Sequence, residues 1–279
     1  MKNIDKKVVD EFGEEWNKYS QNSSSKTISN NDLESAWNQY FNIFPFHELK
    51  EDAQGFDMGC GSGRWAQFVA DKVHKLNCID PSEKALNVAK INLSKFNNIS
   101  FYNASVNDET LEKNSQDFGY CLGVLHHIPD TLHGIKACSN LLKKDAPFLM
   151  YLYYNFENRP FLFKLLWKFS NLFRKLFSLL PSSIKRLITP IIAYLIYFPV
   201  ARFTLLCHKL GVNVENFPLT DYKDKPLYFM KTDALDRFGT RLEKRFSRQE
   251  ITDMLVESGF KDIKFSDGNP CWVCLSRKA

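Results

Sequence analysis

Asp57-Met58-Gly59-Cys60-Gly61-Ser62-Gly63 is a glycine-rich loop around which the rest of the chain is arranged. It follows a short apolar run, Gly55-Phe56, and precedes a helix-like segment at about 63–74. Glycines there let the backbone turn sharply and bring its N–H groups against a ligand at a helix N-terminus. Downstream the pattern keeps alternating. A strand at 75–80 ends in Cys78-Ile79-Asp80, and a helix from Pro81 to Phe96 carries Ala85, Leu86, Val88, Ala89 and Leu93 as its apolar residues. Strands at Ile99–Tyr102 and Phe118–Leu122, a helix at Leu132–Leu142 and an apolar strand at Ala146–Tyr154 follow. The rhythm returns with a helix at Ser247–Gly259, where Ser247 and Glu250 have capping-box spacing. Strands at Ile263–Phe265 and Trp272–Leu275 close the chain. Short apolar strands alternating with helices predict an α/β, doubly wound, mostly parallel sheet with a helical insertion after the fifth strand. The expected organisation is an N-terminal arm or helical cap at 1–50, a core at 51–155 and 246–279, and a cationic insertion at 156–245.

Two acids qualify the glycine loop. Asp57 stands just before the glycines, where a carboxylate can accept from an ammonium group. Asp80 ends the next strand about 20 residues on, the ribose-diol position of nucleotide-binding folds. A dinucleotide and S-adenosylmethionine both fit that geometry. A carboxylate at the mouth repels a pyrophosphate and attracts an amino-acid head group, which favours the second ligand. The spacing Gly61-x-Gly63-x-x-Ala66 leaves the first one open.

Asp57–Gly63 resembles the first motif of class I S-adenosylmethionine-dependent methyltransferases. Cys78-Ile79-Asp80-Pro81-Ser82 is similar to the acidic end of their second strand. Asp117-Phe118-Gly119-Tyr120-Cys121-Leu122-Gly123-Val124-Leu125-His126-His127-Ile128-Pro129-Asp130 resembles the fourth-strand motif of the small-molecule group, with its Leu-His-His ending. The resemblance covers about 55–155 and resumes at about 246–276. It implies a Rossmann-like methyltransferase fold, S-adenosylmethionine as cofactor and a small-molecule acceptor. By that resemblance Asp57 and the backbone of Gly59 and Gly61 hold the methionine part. Asp80 takes the ribose hydroxyls, Pro81 and Ser82 lie near the adenine, and Leu122 and Gly123 pass under the methionine moiety. Where the family often has an acid for the adenine amino group, Asn103-Ala104-Ser105-Val106 places Ser105 followed by Val106, so the adenine is expected to be held less strongly.

Methyl transfer from a sulfonium is a direct displacement, in which alignment and exclusion of water dominate. A base is needed only when the acceptor must lose a proton. His126 and His127 follow the fourth strand at the ligand-binding edge of such sheets and are the candidates. The alternative for this pair is that one packs or caps while the other faces the cleft. Trp16 and Tyr19 of the N-terminal arm either fold over the cofactor, as arms do in this family, or merely anchor a loose terminus. Arg64 is read as a solvated or ion-paired side chain.

The charge balance adds a second theme. The 279 residues carry 37 Lys+Arg against 32 Asp+Glu, a formal net charge of +5, and 44% are hydrophobic. That composition excludes disorder, collagen and a multi-pass membrane protein. The positive charge is not spread evenly. From Asn158 to Val214 there are nine basic residues and no acid, and the remainder holds 28 basic against 32 acidic residues, a net of −4. At 100° per residue, Lys164, Lys168, Asn171, Lys175 and Ser178 form one thin stripe on an otherwise apolar helix. The apolar run Leu187–Val200 contains Pro190 and Pro199 and, at 14 residues, falls short of the ~20 needed to span a bilayer. The insert therefore reads as a lid over an apolar or anionic acceptor, or as a peripheral membrane contact through 158–214. A purely structural hairpin is disfavoured by its lack of acids.

Seven scattered cysteines and no secretory leader at Met1–Lys7 predict a cytoplasmic protein, with any membrane contact on the inner surface. The Cys271-x-x-Cys274 pair has no partner set for zinc, so no metal is expected. No nucleic-acid partner is expected either. The competing functional class is a non-catalytic protein that binds S-adenosylmethionine, or docks to a membrane or partner, on the same fold.

Overall fold

The computed structural model describes residues 3–18, 30–157, 159–267 and 272–279. Tyr19 and Cys271 lie outside these residues. By internal packing the chain divides into two compact units: one made of 1–25, 33–155 and 244–279, the other of 26–32 and 156–243.

The first unit is built on a seven-stranded sheet. In chain order its strands are β1 (Gln54–Met58), β2 (Lys75–Asp80), β3 (Ile99–Asn103), β4 (Phe118–Leu122), β5 (Pro147–Tyr151), β6 (Phe260–Phe265) and β7 (Val273–Lys278). Their spatial order is β3-β2-β1-β4-β5-β7-β6, with β7 antiparallel to both of its neighbours and the other pairings parallel. The doubly wound, mostly parallel sheet is thus present, and its direction of winding reverses between β1 and β4. Such a switch point opens a crevice beyond the strand ends. The seam there is tight. A Cβ on Gly55 would stand 2.4 Å from the Phe118 ring, and one on Gly119 would stand 2.3 Å from the Phe56 ring. Each glycine makes room for the phenylalanine of the neighbouring strand.

The helices of this unit are α1 (Lys6–Lys18), α2 (Asn30–Phe41, whose first residues belong to the second unit), α3 (Ala66–Val69), α4 (Glu83–Asn92) and α5 (Thr131–Leu141), with α10 (Arg248–Glu257) near the C-terminus. Their starts follow local chemistry. Ser82 caps α4 by accepting from the Ala85 N–H, and Asp130 caps α5 by accepting from that of His133. Ser247 and Glu250 form the expected capping box of α10. A cap of this kind contributes about 1 kcal/mol. The helix after the glycine loop is shorter than the reading of 63–74: α3 covers four residues and passes into a 3-10 turn at Ala70–Lys72. Asn98 explains the early stop, because its side-chain amide donates to the carbonyls of Ala70 and Val73. Two apolar layers sandwich the sheet. Phe56, Phe148, Ile135 and Leu255 belong to one, Leu76, Phe118, Leu86 and Leu149 to the other.

The second unit contains α6 (Phe161–Phe177), α7 (Ser182–Ile192), α8 (Phe198–Lys209) and α9 (Leu227–Gly239). A π-helical turn at Ala193–Tyr197 joins α7 to α8. Here the sequence reading needs correction. Pro190 sits inside α7 and Pro199 in the first turn of α8, and neither ends the helix. The resulting helix, Ser183–Lys209, is 27 residues long and, by length and composition alone, apolar enough to cross a membrane. The π turn immediately precedes the turn that holds Pro199, and local adjustments of this type absorb the hydrogen bond that a proline removes. A small core of Ala193, Tyr197, Ala201, Met230 and Ala234 holds this helix to α9.

Candidate cofactor site

The crevice at the switch point is an open cleft, at the place where sheets of this kind bind ligands. Three loops form its floor. At the end of β1, Met58 and Gly59 reach the cleft; at the end of β2, Asp80, Pro81 and Ser82; at the end of β4, Leu122, Gly123 and Val124. The fourth side is the loop after β3, where Ala104, Ser105 and Val106 stand. Backbone geometry fixes these loops. Gly59 has φ +79° and donates its N–H to the Ile79 carbonyl at 2.7 Å. Gly123 has φ +80°, and a Cβ added to it would meet nothing within 4 Å, so its open side is where a ligand chain can pass.

The two acids occupy different places. Asp80 lies in the cleft wall, and its carboxylate accepts from the N–H of Gly61 at 2.9 Å and of Ser82 at 2.8 Å. It therefore ties the glycine loop to the start of α4 while facing the cleft. Burial pushes its carboxyl up to about 6, opposed by those two N–H donors, first Ser82 and then Gly61. Asp57 sits behind the wall in β1. Its carboxyl is buried, and Oδ2 has no hydrogen-bond partner among the described residues. Burial raises it to about 8; the nearby Tyr120 hydroxyl opposes the rise and the charge on Asp80 adds to it. At neutral pH Asp57 is thus mainly protonated and Asp80 mainly ionised.

The remaining wall comes from the N-terminal arm. The arm is a regular helix, α1, which lays Val8, Phe12 and Trp16 along the cleft. Their spacing of four residues puts them on one face of that helix. Asn3 anchors the arm: its side-chain amide donates to the Asp130 carbonyl at 2.7 Å and its oxygen accepts from the Asp130 N–H at 2.7 Å. No sequence signal pointed to it. Gly61 lies close under this arm, because a Cβ there would stand 3.0 Å from Trp16 Nε1. Arg64 differs from its expected solvated role. Its guanidinium lies 4.7 Å from the Trp16 ring centroid and 5.6 Å from that of Trp65, and Nε and Nη2 are buried without a hydrogen-bond partner among the described residues.

The two histidines separate. His127 lines the cleft, with its ring centroid 5.0 Å from that of Phe12. His126 is packed away from it, stacked 3.9 Å from Tyr153. Neither His126 ring nitrogen has a partner among the described residues, and burial, then His127, then Arg245 hold its pKa well below the usual histidine value. After β3, Ser105 does reach the cleft where an acid is common in the resembling family. An acid lies nearby all the same: Asp108 accepts from the Ser105 N–H at 2.8 Å, so its charge shapes the loop. Asp130 and the adjoining turn are accounted for by the cap of α5. Cys274 is buried in β7, and burial pushes its thiol up to about 12.

The site fits S-adenosylmethionine. Asp80 faces the cleft where a ribose diol would donate, Asp57 carries a buried carboxyl oxygen in need of a donor, and Gly123 leaves a side of the cleft open. Residues 56–145 match the family described as methyltransferase domain. The sheet order and the glycine loop agree with that match, which spans about a third of the chain. Among particular proteins, the chain is 28% identical over 122 residues to a ubiquinone biosynthesis O-methyltransferase of Nitrosospira multiformis, covering 38% of this chain and 51% of that protein. It is 31% identical over 150 residues to the protein of the same description from Dechloromonas aromatica, covering 51% of this chain and 61% of that one. The chain thus spans about half the length of the first of these relatives. In fold it is similar to an S-adenosylmethionine-dependent methyltransferase of Thermotoga maritima, with a TM-score of 0.53 at 13% identity over 97% of this chain and 99% of the other.

Proposed function

We propose that the protein transfers a methyl group from S-adenosylmethionine to a small-molecule acceptor of apolar or anionic character, with oxygen as the atom methylated. The observation that carries the reading is the cleft itself, walled by Asp80, Gly123 and the aromatic face of α1. The choice of oxygen rests on the names of the two O-methyltransferase relatives. When bound, the cofactor supplies an electrophilic methyl carbon on a sulfonium. Asp80 would accept from the ribose hydroxyls, with Pro81, Ser82, Ser105 and Val106 beside the adenine. Asp57 would answer the methionine ammonium, and Arg64 would answer its carboxylate. Leu122 and Gly123 would support the methionine chain, while Phe12 and Trp16 exclude water, which strengthens each polar contact.

A hydroxyl acceptor must lose its proton. His127 stands in the cleft wall and is the better placed base; His126 behind it would hold His127 in position by ring contact at 4.1 Å. We place the protein in the cytoplasm, with segment 158–214 at the inner membrane surface. Transfer of labelled methyl groups to an extracted metabolite pool tests the activity. Wild-type turnover that falls at least about a hundredfold in His127→Ala, with cofactor affinity kept, supports it. Cofactor binding without turnover in any pool would instead mark a non-catalytic binding protein.

A further inference from the structure

The helices of the second unit are packed inside out. In α6 the buried or half-buried positions are Phe163, Lys164, Trp167, Ser170, Asn171, Arg174 and Phe177, with Ser178 buried just past its end, whereas the leucines and most phenylalanines face outward. In the helix formed by α7, the π turn and α8, the buried positions are Lys185, Thr189, Ala193, Tyr197, Ala201 and Thr204. Leu187 is 69% exposed, Leu195 64% and Phe161 79%. A helix of a water-soluble domain normally does the reverse. Small and hydroxyl-bearing residues between helices, with large aliphatic residues outside, suit contact with lipid.

The cations divide in a way that fits. Arg174 donates to the Thr240 carbonyl, Lys185 to that of Gly239, and Arg202 to those of Lys223 and Lys225. These charges satisfy chain carbonyls inside the unit. Lys168, Lys175 and Lys209 remain exposed among the outward apolar residues. The stripe read from sequence is therefore split: Lys168 and Lys175 stay outside, Lys164 and Asn171 are half-buried, and Ser178 is buried.

We propose that the outward faces of α6 and of the α7–α8 helix form a docking surface for an anionic lipid bilayer, lying in its interface. The proposal rests on the reading of 158–214 as a membrane-facing insert and specifies its face, its lipid and its depth. Exposed lysines beside apolar side chains match anionic headgroups over acyl chains. A second copy is disfavoured, because 158–214 contains no acid to meet those lysines. Depth follows from α9, on which both α6 and α7 pack. That helix carries Lys231, Asp233, Asp236 and Arg237; the Asp233 carboxylate accepts from the Tyr222 hydroxyl, and Arg237 donates to Ser170. A charged helix behind the apolar face keeps the bundle on the bilayer rather than across it.

Flotation of the full chain with vesicles tests this. The chain should float with phosphatidylcholine–phosphatidylglycerol vesicles, and the bound fraction should fall several-fold with phosphatidylcholine alone or in high salt. Phe169→Ser/Phe173→Ser and Leu187→Ser/Leu195→Ser should each weaken partitioning at least about tenfold, with circular dichroism unchanged. Lys168→Gln/Lys175→Gln should remove much of the preference for the anionic lipid. Alkaline carbonate should release the bound protein. No flotation with either vesicle, equal flotation of the apolar variants, a concentration-dependent dimer buried by this face, or retention in carbonate would each overturn the proposal. Cofactor titration on the same samples keeps this separate from the methyltransferase reading, which stands or falls without lipid.

Discussion

At the scale of single residues, Asp57 and Asp80 make a pair whose carboxyls are pushed apart, to about 8 and about 6. A buried carboxyl raised above its unfolded value of 3.8 contributes stability at low pH and loses it as the pH rises toward the folded value. The cofactor-free protein therefore gives up the Asp57 contribution between about pH 4 and pH 8. A cation arriving beside Asp57 reverses that cost by favouring the carboxylate. Cofactor binding at pH 7 should release a proton, seen as a binding enthalpy that changes with the ionisation enthalpy of the buffer. Asp57→Asn should abolish that dependence. Gly123→Val should weaken cofactor binding by at least about tenfold, since φ +80° disfavours a branched side chain and the added atoms enter the cleft. Both acids and the glycines were legible in sequence because spacing relative to strand ends decides their place. The setback of Asp57 behind Met58 and Gly59 was not, because it depends on which way one strand residue faces. Arg64 was misread for a similar reason: its surroundings come from Trp16, far away in the chain.

At the scale of elements, α1 is the part most open to test. A Cβ on Gly13 would stand 2.2 Å from Ser82 Oγ, so α1 meets the start of α4 at a point with no room for a side chain. Lys84 and Glu14 add an ion pair at the same junction. Gly13→Val should therefore lift α1, at a cost of about 1–3 kcal/mol. The expected result is faster proteolytic cleavage within residues 3–18 and weaker cofactor binding, with little change in the unfolding of the sheet. Strand positions and helix caps were readable because they follow local rules: alternation for β1 to β5, and capping chemistry at Ser82, Asp130 and Ser247. The continuity of α7 through Pro190 was not readable. Proline ordinarily breaks a helix interior, and no residue pattern in the run announces that this one is tolerated.

At the scale of the whole molecule, a net charge of +5 conceals two chemistries: a net-acidic sequence outside 158–214, and a stretch with nine cations and no acid. The sequence could not say which of these cations face outward. Hydrogen bonds from Arg174, Lys185 and Arg202 to chain carbonyls answer that, leaving a smaller exposed set for lipid. The central claim remains the cofactor cleft. Calorimetric titration of S-adenosylmethionine into the wild type, Asp57→Ala and Asp80→Ala, each confirmed as folded by its thermal melt, tests it most directly. Saturable one-to-one binding to the wild type and loss of measurable binding in both variants are expected. Unchanged affinity in both variants would contradict the claim.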